Sequence, residues 1–479
     1  MEAEAIAVTF PRSLDSYPAA MGQSLVALLR ERATLEPLNV IATSIFLLAI
    51  AHTFATARFT RRAHHMQQAF DTDRRTRGVD PRPSVSAELM HFLGEVEVVF
   101  GLRGVVLGVV LALSAGWNVV RHYFNDSVNF TEAMFVVVIM TLAATRPIMT
   151  LAESSLQLVA GRFGGTPAAW WATILTLGPL LGSLVTEPAA MTICALLLQR
   201  KFFDRQPSSR LKYATLGLLF VNVSLGGTLT PFAAPPLLMV VRPWAWDFAF
   251  VLQHFAWRST IAVVASTAAY FLLFNKELQA LAARRADVDI EIPEDPTVAP
   301  LASRVPAWLT LVHVVFMIWT VVNAHYPVLF IGGFLFFLGF ARATAAYQTQ
   351  IELKTPLLVG FFLAGLVVHG GLQGWWIAPI LQRLGSSALF FGALGLTAFN
   401  DNALVTYLAT IAPGLSDSLR LAVVQGAVTG GGLTVIANAP NPAGQALLRR
   451  YFEDAVSPAQ LAVWAAIPTA LATLVFRLL

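Results

Sequence analysis

Two stretches decide the fold: GGTLTPFAAPP at residues 226–236 and GGGLTVIANAP at residues 430–440. Aligned without gaps they agree at six of eleven positions, matching Gly226 to Gly430, Gly227 to Gly431, Leu229 to Leu433, Thr230 to Thr434, Ala233 to Ala437 and Pro236 to Pro440. Each interrupts an apolar run with glycine and threonine, and with proline, which removes a helical hydrogen bond. Upstream of each, an acid sits inside another apolar run: Glu187-Pro188-Ala189 for the first and Asp401-Asn402-Ala403 for the second. The same two-part unit therefore occurs twice.

The setting of these units is lipid-like. The 479 residues are 56% hydrophobic and 13% charged, with a mean hydropathy of +0.65, which points to an all-α polytopic membrane protein. Apolar runs of about 18 residues, the length that crosses a hydrocarbon core, recur along the chain. Close helix packing explains a lone glycine in such a run. It does not explain Thr, Asn and Pro clustering at matched offsets, because broken backbone in a membrane survives only where it lines a protein-enclosed cavity.

Composition also excludes several classes. A net charge of +4 is too small to argue for nucleic acid, and the single Cys194 leaves no internal disulfide and no cysteine metal site. The start MEAEAIAVTFPRS is acidic and the first long apolar run begins near Leu38, so no cleaved secretory signal is expected. The HExxH, GxSxG and GxxxxGK[ST] patterns are missing, which disfavours a membrane enzyme or a pump that hydrolyses nucleotide by this chain alone. No cofactor is expected.

Charge sets the topology. Residues 1–37 form an N-terminal segment, 38–274 a first half, 275–305 a cytoplasmic linker and 306–479 a second half. After a span at 38–57, the stretch RFTRRAHHMQQAFDTDRRTRGVDPRPS carries seven arginines and reads as a cytoplasmic loop. Positive residues flank both ends of the next apolar segment around Glu187, so a re-entrant hairpin at 169–198 satisfies the charge bias where one crossing would not. A broken helix at 211–240 follows it. In the second half, scaffold spans at 306–324 and 327–341 precede a hairpin at 387–412 that enters from outside, and a broken helix at 419–445 ends at Arg449 and Arg450 inside. Opposite entry sides for the two hairpins are what inverted-topology repeats require.

The tip of the second hairpin, Asn400-Asp401-Asn402, supplies a carboxylate and two amide oxygens, with Thr429, Thr434 and Asn438 nearby in the broken helix. Hard oxygen ligands of this kind suit a small alkali cation or a proton. Competition for one carboxylate is a complete exchange mechanism. Around the first tip, Glu187 is the pseudo-symmetric partner, with Thr186, Asn222, Thr228 and Thr230 close in sequence. Apart from the transported monovalent cation, no metal is expected.

The doubled motif resembles the ion transporter superfamily. Within it, HFLGEVEVVFG (91–101), MTLAATRP (140–147), TEPAAM (186–191) and FNDNALVTYLA (399–409) are similar to a family of sodium/proton antiporters, over most of residues 88–450. The resemblance implies a multi-pass secondary transporter of a bacterial inner membrane that exchanges sodium or another monovalent cation for protons. The alternative in the same superfamily is a sodium-coupled carrier of a small carboxylate or inorganic anion, since helix N-termini at the breaks favour anions. Partners are then the cation, protons and membrane lipid, and by analogy with carriers that dimerise through scaffold helices, residues 306–341 would serve a homodimer. One departure counts: the first half has Glu-Pro where the second has Asp-Asn, so the two sites are not equivalent.

Glu95, Glu97, Arg146 and Glu153 remain. Glu95 and Glu97 lie two apart and face different sides of a helix, so they form no shared pair. Arg103, Arg146 and Glu153 are candidate partners for an internal ion-pair network, or for a proton relay, provided the helix runs through Pro147.

Overall fold

The computed structural model describes residues 10–17, 23–80, 82–283, 304–452 and 456–479, so most of the expected linker at 275–305 and part of the segment 1–37 lie outside the described residues. The described residues form helices joined by turns and contain no strand. The chain divides into two compact units, Met1–Met134 with Lys354–Arg383 and Ile411–Pro413, and Phe135–Leu353 with Leu384–Thr410 and Gly414–Leu479. Each unit draws residues from both sequence halves.

In the first unit the helices are α1 (Leu25–Leu35), α2 (Pro37–Thr53), α3 (Thr56–Thr76), α4 (Val85–Phe92), α5 (Val96–Ala115) and α6 (Trp117–His122). The arginine-rich stretch expected as a loop is the 21-residue helix α3. Its Gln67 side chain bonds Asp71 and Arg77 pairs with Asp73, both at i,i+4 spacing, contacts that support a polar helix. The apolar run at 88–115 breaks at Gly94, whose packing against Thr60 leaves no room for a side chain.

The second unit holds most of α7 (Thr131–Ala143), then α8 (Arg146–Arg162), α9 (Pro167–Val185), α10 (Glu187–Lys201), α11 (Ser209–Gly226), α12 (Pro235–Val241), α13 (Phe248–Leu273), α14 (Asn275–Ala280), α15 (Ala307–Val322) and α16 (Pro327–Ala343). The chain then returns to the first unit for α17 (Lys354–Gly370) and α18 (Gly374–Leu381), which meet at 82°. The second unit closes with α19 (Ser386–Thr397), α20 (Asn402–Thr410), α21 (Asp417–Gly430), α22 (Asn441–Leu448) and α23 (Pro458–Leu478). Helix α7 ends at Ala143 and does not reach Pro147, but Arg146 and Glu153 share α8, in which Pro147 takes an early position where its missing N–H costs nothing.

Among the described residues four helices are long and apolar enough to cross a membrane, Glu97–Ala115, Pro167–Val185, Phe248–Leu273 and Pro458–Leu478, and three bent pairs raise that to seven. Large apolar side chains such as Leu113, Val328, Leu272 and Phe336 are more than 70% exposed, a surface suited to lipid rather than water. The chain is a multi-pass membrane protein.

Candidate functional site

The site is built from two helix pairs, α9–α10 and α19–α20, which are the two expected hairpins, and two interrupted helices, α11–α12 and α21–α22, all in the second unit. Helices α9 and α10 run antiparallel about a single residue, Thr186: Gly182 faces Ala190, and further down Gly178 faces Cys194. Thr186 has φ 81 and ψ 153, a region that β-branched residues avoid at a cost of about 1–3 kcal/mol. That strained residue turns the chain so that Glu187 opens α10 in the interior. The corresponding helices α19 and α20 are joined by residues 398–401, and Asp401 caps α20 by accepting the Ala403 N–H at 2.8 Å.

Each hairpin's first arm lies along its own broken helix, in the same register. Gly226 faces the Pro179 carbonyl and Gly430 faces the Leu394 carbonyl. One turn further on, the Thr230 hydroxyl donates to the Ser183 carbonyl at 2.7 Å and the Thr434 hydroxyl to the Ala398 carbonyl at 2.8 Å. The two threonines paired by the ungapped alignment thus make the same bond to matched carbonyls. The second arms exchange partners: α10 packs on α22 and α20 on α12. Where α11 meets α21, the Ser224 hydroxyl donates at 2.8 Å to the carbonyl of Val428, its counterpart when the alignment is carried two residues upstream.

Backbone freed by the breaks is satisfied by side chains, as lipid demands. Ser183 Oγ donates to the Gly226 carbonyl and accepts the Leu229 N–H at 2.8 Å. Asn441 Nδ2 donates to the Gly431 and Thr434 carbonyls at 2.8 and 2.9 Å. Asn441 was not among the residues the sequence singled out; its signal was an Asn-Pro restarting the helix just after a break.

The hairpin tips seat on the glycines of the breaks. Glu187, fully buried, lies so close to Gly227 that an added Cβ would stand 2.5 Å from its Oε1. Asn438 Nδ2 donates to Glu187 Oε2 at 2.9 Å, joining the first tip to the second break. Asn402, also fully buried, seats on Gly431, where an added Cβ would stand 2.9 Å from its Nδ2. By position in their helices Glu187 corresponds to Asn402, the first residue of α20, and Thr186 to Asp401. The structural register is therefore one residue away from the Glu187–Asp401 pairing read from sequence.

Several buried polar atoms here have no hydrogen-bond partner: Glu187 Oε1, Thr186 Oγ1, Asn438 Oδ1, both side-chain atoms of Asn402, Thr397 Oγ1 and Asn441 Oδ1. Buried polar atoms are nearly always paired, with protein, ordered water or a bound ion, and here the protein's own atoms supply no partner. Asp401 is half-buried and near enough for its charge to act on Glu187. Other expected ligands are engaged in holding the frame. Thr429 donates to the Gln425 carbonyl of its own helix, Thr228 bonds the Leu225 carbonyl and the Ser259 hydroxyl, and Asn222 Nδ2 ties α11 to the Leu175 carbonyl and Thr267. Asn400 is half-buried in the segment that joins α19 to α20.

Glu95 takes a partner the sequence reading did not name. In the first unit Lys354 Nζ lies 3.0 Å from Glu95 Oε1, with His91 Nδ1 at 3.6 Å. Glu97 is half-buried in the first turn of α5. In the second unit Arg146 donates to the Tyr347 carbonyl at 3.3 Å, and Glu153 is half-buried two turns along α8.

Among the described residues no group of three His, Cys, Asp or Glu side chains forms a metal cluster. No curated protein matches the chain. Residues 37–479 match the family described as "Putative Na+/H+ antiporter". Covering nearly the whole sequence, that match makes the chain a member of this antiporter family.

Proposed function

We propose that the chain exchanges sodium or another monovalent cation for protons in a bacterial inner membrane, and that the Glu187 carboxylate carries either ion in turn. The observation that carries this reading is Glu187 Oε1: an oxygen of a fully buried carboxyl with no protein partner. A buried carboxylate without a countercharge costs several kcal/mol. A bound cation or a bound proton removes that cost, and the two exclude each other. Thr186 Oγ1, Asn438 Oδ1 and Asn402 Oδ1 are the neutral oxygens available to complete a cation shell, a hard donor set with one charge. Asp401 acts on this site through its field and by capping α20, rather than as the primary ligand.

The matched threonine bonds, the exchanged second arms and the Ser224–Val428 contact support a two-fold relation between the repeats, since contacts that map onto themselves when partners are exchanged mark such an axis. The distribution of arginines supports their being inverted and their hairpins re-entrant. Helix α9, at 19 residues, is long enough to cross a bilayer alone, so the re-entrant reading rests on the antiparallel return of α10.

The anion-carrier alternative needs free helix N-termini. The N-termini at the breaks are those of α12 and α22, and the two other N-termini beside them already carry this chain's own acids, Glu187 in the first turn of α10 and Asp401 at the cap of α20, so an incoming anion meets like charge. The discriminating experiment is a proteoliposome assay with an internal pH dye, comparing sodium, lithium, potassium and labelled carboxylates. Cation pulses that move protons support exchange. Labelled carboxylate uptake on a sodium gradient, with no proton movement, refutes it.

A further inference from the structure

Helix α3 has a second surface that ion exchange does not use. No acidic residue occurs from Pro37 to Phe70, and within that stretch the apolar helix α2 ends at Thr53, only a few residues before Arg58. Arg58, Arg61, Arg62 and His65 follow at i, i+3, i+4 and i+7 spacing, which places them on one face of α3. All four are exposed, and together with Met66 and Ala69 they line a shallow concavity.

The opposite face of α3 is held in place. Thr60 packs against Gly94, Ala63 is buried, and Gln67 Nε2 donates to the Arg82 carbonyl at 2.9 Å while its Oε1 accepts the Ser84 N–H at 2.8 Å. His64 meets His91 edge to face. These contacts fix the helix's rotation and present the cationic face outward, so little ordering is needed to bind a ligand. At the far end of α3 the charges are mixed: Asp71 bonds Gln67, and Asp73 pairs with Arg77.

We propose that the Arg58, Arg61, Arg62 and His65 face binds the headgroup of an anionic phospholipid in the leaflet where α2 ends. The phosphate is the chemistry that several arginines recognise together, and the lipid is the source because the face begins where an apolar helix stops. Met66 and Ala69 offer the adjoining glycerol an apolar edge.

The test is native mass spectrometry of the detergent-solubilised full chain titrated with phosphatidylglycerol or phosphatidylcholine. Wild type is expected to retain phosphatidylglycerol selectively, and R58Q/R61Q/R62Q to lose affinity roughly a hundredfold at low salt. R58K/R61K/R62K, which keeps the charges, stays within a few-fold of wild type, as does the distal control R74Q/R75Q/R77Q. Equal retention of phosphatidylcholine overturns the proposal, as does unchanged phosphatidylglycerol binding in the glutamine variant. An equal loss in the distal control, or full displacement of the lipid by millimolar inorganic phosphate, overturns it too.

Discussion

Glu187→Gln removes one charge and little else. Glutamine keeps the volume that fills the space against Gly227, and its amide oxygen can still accept the Asn438 Nδ2–H bond, so the hairpin tip keeps its seat. What is lost is the attraction between carboxylate and cation. At an effective dielectric constant of about 20, unit charges about 4 Å apart attract by about 4 kcal/mol, which is about a thousandfold in affinity. In proteoliposomes carrying a pH dye, cation-driven proton movement by the variant should fall at least a hundredfold, with an unchanged elution profile and melting temperature. Asp401→Asn supplies the contrast. Asparagine still caps α20, and Asp401 is half-buried, so exchange should drop less than about tenfold. If Glu187→Gln instead retains exchange within tenfold of wild type while Asp401→Asn abolishes it, the shared carboxylate is Asp401 and not Glu187.

Three further outcomes follow from the same geometry. Gly227→Ala places a methyl against the Glu187 carboxyl and should destabilise by about 1–3 kcal/mol and depress exchange, whereas Gly392→Ala, with open space around its Cα, should change neither in thermal-shift and flux assays. Thr230→Ala and Thr434→Ala each delete one hydroxyl-to-carbonyl bond of matched length, so each should cost about 1 kcal/mol, and clearly unequal losses would count against the repeat. Lys354→Met breaks the pair with Glu95, but Lys354 is 68% exposed, so stability should change by less than about 1 kcal/mol and exchange should be unchanged. A tenfold loss of flux there would place Glu95 in a proton relay.

What the sequence disclosed follows from which interactions are local. The two glycine breaks were legible because lipid forbids unpaired backbone, which leaves Gly, Thr and Pro in an apolar run with few readings. Charge alone makes the α3 stretch look like a loop; its i,i+4 contacts and its packing on Gly94 depend on residues on both sides of its C-terminal turn. The site was half legible. Glu187, Asn402 and Asn438 were named from their types and offsets. Their ranking is not legible, because Glu187 and Asp401 differ in burial, and the burial of Glu187 is set by Gly227 and Asn438, residues of the two breaks, closing on the first tip. The same limit applies to Thr429 and Thr228, whose hydroxyls are taken by neighbours a turn away or on another helix. Asn441 escaped notice because its partners, Gly431 and Thr434, come within reach only once the backbone unwinds.

The central claim is that one carboxyl holds either a proton or a cation. Calorimetric titration of sodium into purified protein, repeated in two buffers of different ionisation enthalpy just below the pH at which the site gives up its proton, counts the protons released per cation bound. Competition on Glu187 gives a release approaching one for wild type and none for Glu187→Gln. Sodium binding with no proton release at any pH in wild type, or the same release in the variant, would contradict it.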